Sequence, residues 1–198
     1  QLDGKDVILI STVEMLPEEL EYPNGHGTVA LIGKINEKTG RFICEKHQAV
    51  DYGIDFYAMQ TLKSPDGRTL MIGWMQNWAT SSFHTQERKW FGQMSLPREI
   101  SVVNGRLIQK PIRELELLRL NKVEYRDILF TGVLKIEEIR GRKIDMEIEV
   151  TRGDDWEIYR KFAVFFAQNE TFYTGLIYRP HEAVLEVDRR FSGLRYAT

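Results

Sequence analysis

The chain has 198 residues, room for one large domain or two small ones, and at 42% hydrophobic and 28% charged it is too apolar for a disordered protein. A net charge of -2 gives no basic footprint for nucleic acid or an anionic membrane, and no apolar run reaches the ~18 residues of a spanning helix. One cysteine, Cys44, excludes an internal disulfide framework and a cysteine-based zinc site.

Gln1 is not Met, and Asp6–Ser11 reads as a strand almost at once, with no signal peptide or basic leader before it. The expectation from this opening is a chain that begins in the middle of a larger protein. Gly25-His26-Gly27-Thr28-Val29-Ala30 has the spacing of a dinucleotide fingerprint, but that motif needs a helix after its glycines. Here Val29-Ala30-Leu31-Ile32-Gly33 reads as a strand, so the glycines mark a turn. The four histidines, His26, His47, His84 and His181, lack ligand-like spacing and read as surface or loop residues.

Residues 51–61 read as one strand. Period-2 alternation puts Asp51, Gly53, Asp55 and Tyr57 on one face and Tyr52, Ile54, Phe56 and Ala58 on the other. Four residues of straight strand would separate Asp51 and Asp55 by ~13 Å, too far for the paired carboxylates of a glycosidase. Ser64-Pro65-Asp66-Gly67 then predicts a turn between strands at 57–63 and 68–74. Past it, Trp74, Gln76 and Trp78 share a parity against Gly73, Met75 and Asn77. Carboxylates, a tyrosine, amides and tryptophans suit a sugar, whose hydroxyls donate to carboxylates and whose C–H faces stack on rings. The alternative is that the tryptophans fill a β core, and composition favours that alternative.

Asn104-Gly105 predicts a tight hairpin between strands at 99–103 and 106–109. In 111–121, Ile112, Leu115 and Leu118 recur at helical spacing behind Pro111, predicting a short linker helix. Ile144, Met146, Ile148 and Val150 alternate with polar residues, a strand pattern with one wet face. Asp154 and Asp155 fall in a solvated turn, and Gln168-Asn169-Glu170 turns a hairpin between 161–167 and 171–178. Strands recurring about every ten residues mean an all-β chain: sandwich, barrel or propeller.

Asp51-Tyr52-Gly53-Ile54-Asp55-Phe56-Tyr57-Ala58-Met59-Gln60-Thr61, then Asp66-Gly67-Arg68 and Ile72-Gly73-Trp74-Met75, resembles the end of the catalytic propeller of the β-fructosidases. These are glycoside hydrolases of family 32: invertases, levanases, inulinases and sucrose-6-phosphate hydrolases. Trp90-Phe91-Gly92-Gln93-Met94-Ser95-Leu96-Pro97-Arg98-Glu99, with Asn104-Gly105-Arg106-Leu107 and Gln109-Lys110-Pro111 after it, is similar to the family's next block. The resemblance covers about residues 1–120.

It implies the end of a five-bladed β-propeller over 1–110, a linker helix at 111–121, and part of a β-sandwich over 122–198. The implied activity is hydrolysis of terminal β-fructofuranosyl bonds, in sucrose, its phosphate or a fructan, by retaining double displacement without metal or organic cofactor. The family's nucleophile sits in Trp-x-Asn-Asp-Pro-x-Gly, its stabiliser in Arg-Asp-Pro and its acid/base in Glu-Cys-Pro. This sequence contains no Asp-Pro and no Glu-Cys, so it holds none of the three catalytic carboxylates. The chain thus resembles a C-terminal piece cut just after the acid/base, expected to be inactive alone.

For the binding wall, the resemblance matches Tyr57 to a tyrosine beside the acid/base and Trp78 to a tryptophan lining the sugar mouth, with Asp55 and Asp51 as lesser candidates for sugar hydroxyls. The loop at 79–89, which lacks a proline before Trp90, bears on substrate length. The implied partner is a fructose-containing saccharide. Bare blade edges further imply a separate segment with the first blades, or self-association. The competing expectations are a non-catalytic carbohydrate-binding unit and a structural β-domain.

Overall fold

The computed structural model describes residues 1–79, 81, 92–141, 143–151 and 160–193. The chain divides into two units, Gln1–Leu118 and Arg119–Thr198, and is all-β apart from one short helix among the described residues.

The first unit holds two antiparallel sheets. One is β1 (Asp6–Ser11), β2 (Thr28–Ile35) and β3 (Phe42–Ala49), in that spatial order. As the central strand, β2 buries consecutive residues, Thr28, Val29 and Ala30, on both faces. A bulge between Ile32 and Gly33 brings the Ile43 carbonyl 2.0 Å from where a Gly33 Cβ would lie, so only glycine fits there. The other sheet is the meander β4 (Tyr57–Lys63), β5 (Thr69–Trp74), β6 (Arg98–Val103) and β7 (Arg106–Pro111). Four strands in sequential order is the make-up of a propeller blade.

One apolar cluster joins the two sheets: Leu2, Ala30 and Ile32 meet Val50, Phe56, Met71, Ile100, Val102 and Leu107. Burying each large aliphatic or aromatic side chain stabilises by roughly 1.5–3 kcal/mol. Polar stitches fix the sheets' alignment. The Gln48 amide reproduces a strand pair on Leu107, accepting its N–H at 3.0 Å and donating to its carbonyl at 3.1 Å. Gln109 Nε2 donates to the Val50 carbonyl at 2.6 Å, and the Val102 N–H donates to Asp3 at 2.7 Å.

Both turns expected in this unit form. Gly67 (φ +87°) donates to the Ser64 carbonyl at 2.9 Å, and Asn104 and Gly105 (φ +50° and +69°) close the two-residue hairpin between Val103 and Arg106.

The strand expected over 51–61 is not continuous: β4 starts at Tyr57 and 51–56 bends. Asp51 Oδ1 accepts the Gly53 N–H at 2.8 Å, an Asx turn that competes with strand pairing. The straight-strand separation of Asp51 and Asp55 therefore does not apply. A second irregularity follows, where the β4–β5 register shifts between Tyr57 and Gln60 and Ala58 takes φ +49°. Phe56, the last residue of the bend, and Tyr57, the first of β4, are both buried. The expected helix shrinks to a 3-10 helix, Arg113–Leu118, because β7 extends through Pro111, which pairs with Arg98.

In the second unit, β8 (Phe162–Phe166), β9 (Thr174–Arg179) and β10 (Val184–Asp188) form an antiparallel sheet ordered β10-β9-β8. The β8–β9 loop is wider than the three expected residues. Asn169 Oδ1 accepts the N–H groups of Thr171 at 2.8 Å and Phe172 at 2.7 Å, and Tyr173 stacks on Phe191 at 5.2 Å. The alternating segment Ile144, Met146, Ile148 and Val150 is 38–48% exposed and forms no ladder among the described residues. Alternation makes a segment fit for a sheet, but the strand exists only with a neighbour to bond.

Candidate functional site

The site is built where the bend at 51–56 runs into β4 and where β5 leaves its sheet. β4 carries Tyr57 inward, 7% exposed. Trp78 is 62% exposed, with the edge-to-face partners Tyr57 (6.5 Å between ring centroids, 76° between planes) and Trp74 (6.0 Å, 73°). Three aromatic rings thus meet at one corner, the outermost largely exposed to solvent. An exposed indole has the chemistry to pack on C–H groups.

Asp55 lies at the same corner. Its Oδ1 accepts from Asn77 Nδ2 at 2.8 Å, and Asn77 is the residue before Trp78. Of the four residues singled out in the sequence, the fold brings Tyr57, Trp78 and Asp55 together. Asp51 is directed elsewhere: Oδ1 holds the Gly53 N–H, and Oδ2 pairs with Arg98 at 2.8 Å. The Arg98 guanidinium lies 4.3 Å from the Phe56 ring centroid. Asp51, Arg98 and Phe56 therefore form a brace at the residue preceding Tyr57.

Two residues named in the sequence but not as site candidates matter here. Asn77 is 0% exposed, and Trp74 is the inner member of the aromatic corner. Parity set Asn77 with Gly73 and Met75 but gave it no role, because β5 stops at Trp74, beyond which alternation assigns no face. The available signal was Asn followed by a turn, since Asn77 Oδ1 accepts the N–H two residues on, at Ala79, at 2.8 Å. Gly92 packs against this corner: its φ is +85°, and an added Cβ would lie 3.2 Å from Trp74 Nε1.

The loop expectation at 79–89 lies outside the described residues except for Ala79 and Ser81, and His84, Asp154 and Asp155 lie outside them too. Gly25-His26-Gly27 leads into β2, not a helix, which removes the basis of a dinucleotide site. No group of three His, Cys, Asp or Glu side chains with metal-binding geometry occurs among the described residues. A cavity of about 370 Å³ is lined by Glu18, Glu19, Leu20, Glu21 and Tyr52, where the Tyr52 hydroxyl donates to Glu21 at 2.9 Å. That hydrogen bond, with burial and the Glu21 charge, raises the Tyr52 pKa. None of the aromatic-corner residues lines this cavity.

The sequence profile of the Glycosyl hydrolases family 32 N-terminal domain matches residues 1–111. The raffinose invertase of Escherichia coli is 37% identical over 114 residues, covering 57% of this chain and 23% of that protein. Among solved structures, the family 32 β-fructofuranosidase of Bombyx mori superposes with a TM-score of 0.55 at 33% identity, over 63% of this chain and 26% of that one. A variant of the Bombyx enzyme has been solved in complex with sucrose. The sucrose-6-phosphate hydrolase of Lactobacillus gasseri is similar in fold, with a TM-score of 0.66 at 19% identity, over 97% of this chain and 38% of that one. The chain thus spans well under half the length of the relatives it matches. With a family profile covering more than half of its residues, and a meander of the propeller-blade kind in the matched part, the chain belongs to glycoside hydrolase family 32.

Proposed function

We propose that this chain is part of a retaining β-fructofuranosidase and supplies one wall of its fructose pocket. Residues 1–110 are read as the last portion of the propeller, 111–121 as the linker and 122–198 as sandwich. The observation that carries the reading is the convergence of Tyr57, Trp74 and Trp78 at one corner, with Asp55 tethered beside them. Support comes from the sucrose bound by a variant of the Bombyx relative and from the invertase name of the Escherichia relative.

The chemistry divides accordingly. Retention needs a nucleophilic carboxylate and an acid/base ~5–5.5 Å apart, one forming a covalent fructosyl intermediate and the other activating water. The three sequence blocks that carry the family's carboxylates do not occur in this chain. What these residues contribute is recognition: Trp78 packs on the sugar's C–H face, Asp55 accepts from its hydroxyls, and Tyr57 closes the back of the corner. Fixing the fructosyl ring lowers the entropic part of the barrier for carboxylates placed opposite. The partner is a terminal β-fructofuranosyl unit, with the remaining blades or a second copy covering the free strand edges.

The test is release of fructose from sucrose, with and without a polypeptide carrying the three carboxylate blocks. The chain alone is expected to release none, and the combination to hydrolyse sucrose. Activity in the chain alone refutes the division of labour, and a Trp78→Ala variant with unchanged kcat/KM in the combination refutes the wall.

A further inference from the structure

Asn77 lies in none of the sequence blocks that carry the family resemblance, yet its hydrogen bonds explain why the aromatic corner has its shape. The side chain is 0% exposed and bonded at both ends. Nδ2 donates to the Ile54 carbonyl at 2.7 Å and to Asp55 Oδ1 at 2.8 Å, while Oδ1 accepts the Ala79 N–H at 2.8 Å. Its own carbonyl accepts the Ser81 N–H at 2.9 Å. A planar amide holding three groups cannot rotate without abandoning one, and an abandoned buried group costs more than its hydrogen bond was worth.

The groups it holds belong to two stretches of chain. One is the bend leading to Tyr57, represented by Ile54 and Asp55. The other is the turn leaving β5, in which Trp78 sits between Asn77 and Ala79. Trp78 is largely exposed and meets its aromatic neighbours among the described residues edge to face, so packing against them confines it weakly. Its backbone direction is set by the Asx turn of Asn77. The Ile54 carbonyl also accepts from Asn24 Nδ2 at 2.6 Å, so the bend keeps one anchor when Asn77 is altered.

We propose that Asn77 is the positioning residue of the sugar wall, fixing Asp55 and Trp78 relative to each other before a saccharide arrives. Its functional consequence rests on the proposed fructosidase reading; its geometry does not, and can be read without sugar. Trp74 and Trp78, 6.0 Å apart at 73°, are close enough for their indole transitions to couple and give an exciton couplet in far-ultraviolet circular dichroism. Subtracting the spectrum of Trp78→Phe isolates it.

Asn77→Asp keeps the shape and the acceptor for Ala79 but turns a carboxylate toward Asp55, and the couplet is expected to be lost. Asp55→Asn alone keeps an acceptor for Asn77 Nδ2, and the couplet is expected to stay. The exchange variant, Asn77→Asp with Asp55→Asn, restores a donor–acceptor pair between the two positions but leaves the Ile54 carbonyl to Asn24 alone, and part of the couplet is expected to return. A couplet unchanged in Asn77→Asp overturns the proposal, as does a loss that the exchange does not reduce at all. If Asn77→Asp shows no cooperative melt, the exchange variant decides: folded with the couplet supports the role, folded without it overturns it. An exchange variant that fails to fold while Asp55→Asn folds also overturns it, because the pair is then not interchangeable. Sucrose titration of the same variants reads the separate claim. A chain that obeys the couplet pattern but binds no sugar contradicts the fructosidase reading and leaves the positioning role standing.

Discussion

Gly73→Ala tests how tightly the ground beneath the corner is packed. Gly73 is buried in β5, and an added methyl would lie 2.6 Å from both Cε2 and Cζ of Phe56. Carbon atoms rest ~3.5–4.0 Å apart, so the ring must retreat by about 1 Å. Its escape is narrow: Phe56 is 1% exposed, and the Arg98 guanidinium, held by Asp51 at 2.8 Å, lies 4.3 Å from the ring centroid. Forcing a methyl into such a site costs ~1–3 kcal/mol, which should appear as a lower urea midpoint at unchanged slope. Phe56→Leu removes the obstructing ring atoms, so the double variant should be less destabilised than the sum of the singles by ~0.5–3 kcal/mol. A neutral Gly73→Ala, or strict additivity, refutes the packing argument.

Gln48→Leu should destabilise the first unit by ~1–3 kcal/mol in urea unfolding, because it strands the N–H and carbonyl of buried Leu107. Asp66 titrates at about 2, held down first by the Ser64 hydroxyl and then by Arg68. Its folded pKa lies below its unfolded one, so its stabilisation is complete above the unfolded value of ~3.9 and is lost as pH falls through about 2. Acid titration of Asp66→Asn should therefore show a shallower stability loss below pH ~4 than the parent, with the difference shrinking in high salt.

Where local chemistry decides the backbone, the fold was legible in the sequence. Pro65-Asp66-Gly67 and Asn104-Gly105 dictate the signs of φ they adopt, and both turns form where expected. Where a distant partner decides, it was not. Ala58 takes a left-handed conformation while its N–H donates to Ser11 Oγ at 2.9 Å, a residue 47 positions earlier. No alternation rule anticipates that bulge, nor the bend at 51–56 before it, so a single alternation over 51–61 does not hold. Pro111 suited a first helical turn, but pairing with Arg98 kept it in β7 and shortened the helix. In the second unit, the alternation from Ile144 to Val150 was visible, yet sheet formation depends on a neighbour that spacing does not name.

The candidate site divides along the same line. The family resemblance, more than residue type, singled out Tyr57, Trp78, Asp55 and Asp51 as sugar-facing candidates. Geometry then separated Asp51, whose oxygens serve Gly53 and Arg98, and added Asn77, whose importance lies in its bonds to Asp55 and Ala79. A side chain can have the right chemistry and still be committed to the scaffold, and that commitment is made by partners far apart in sequence.

The sugar wall itself is tested most directly by fluorine NMR of the chain labelled with 5-fluorotryptophan and titrated with sucrose, with Trp78→Phe assigning the Trp78 resonance. That resonance should shift in a saturable manner, ahead of the other tryptophans, while no fructose is released. Saturable shifts confined to the other indoles, or none at any sucrose concentration, would contradict a fructose-facing role for this corner.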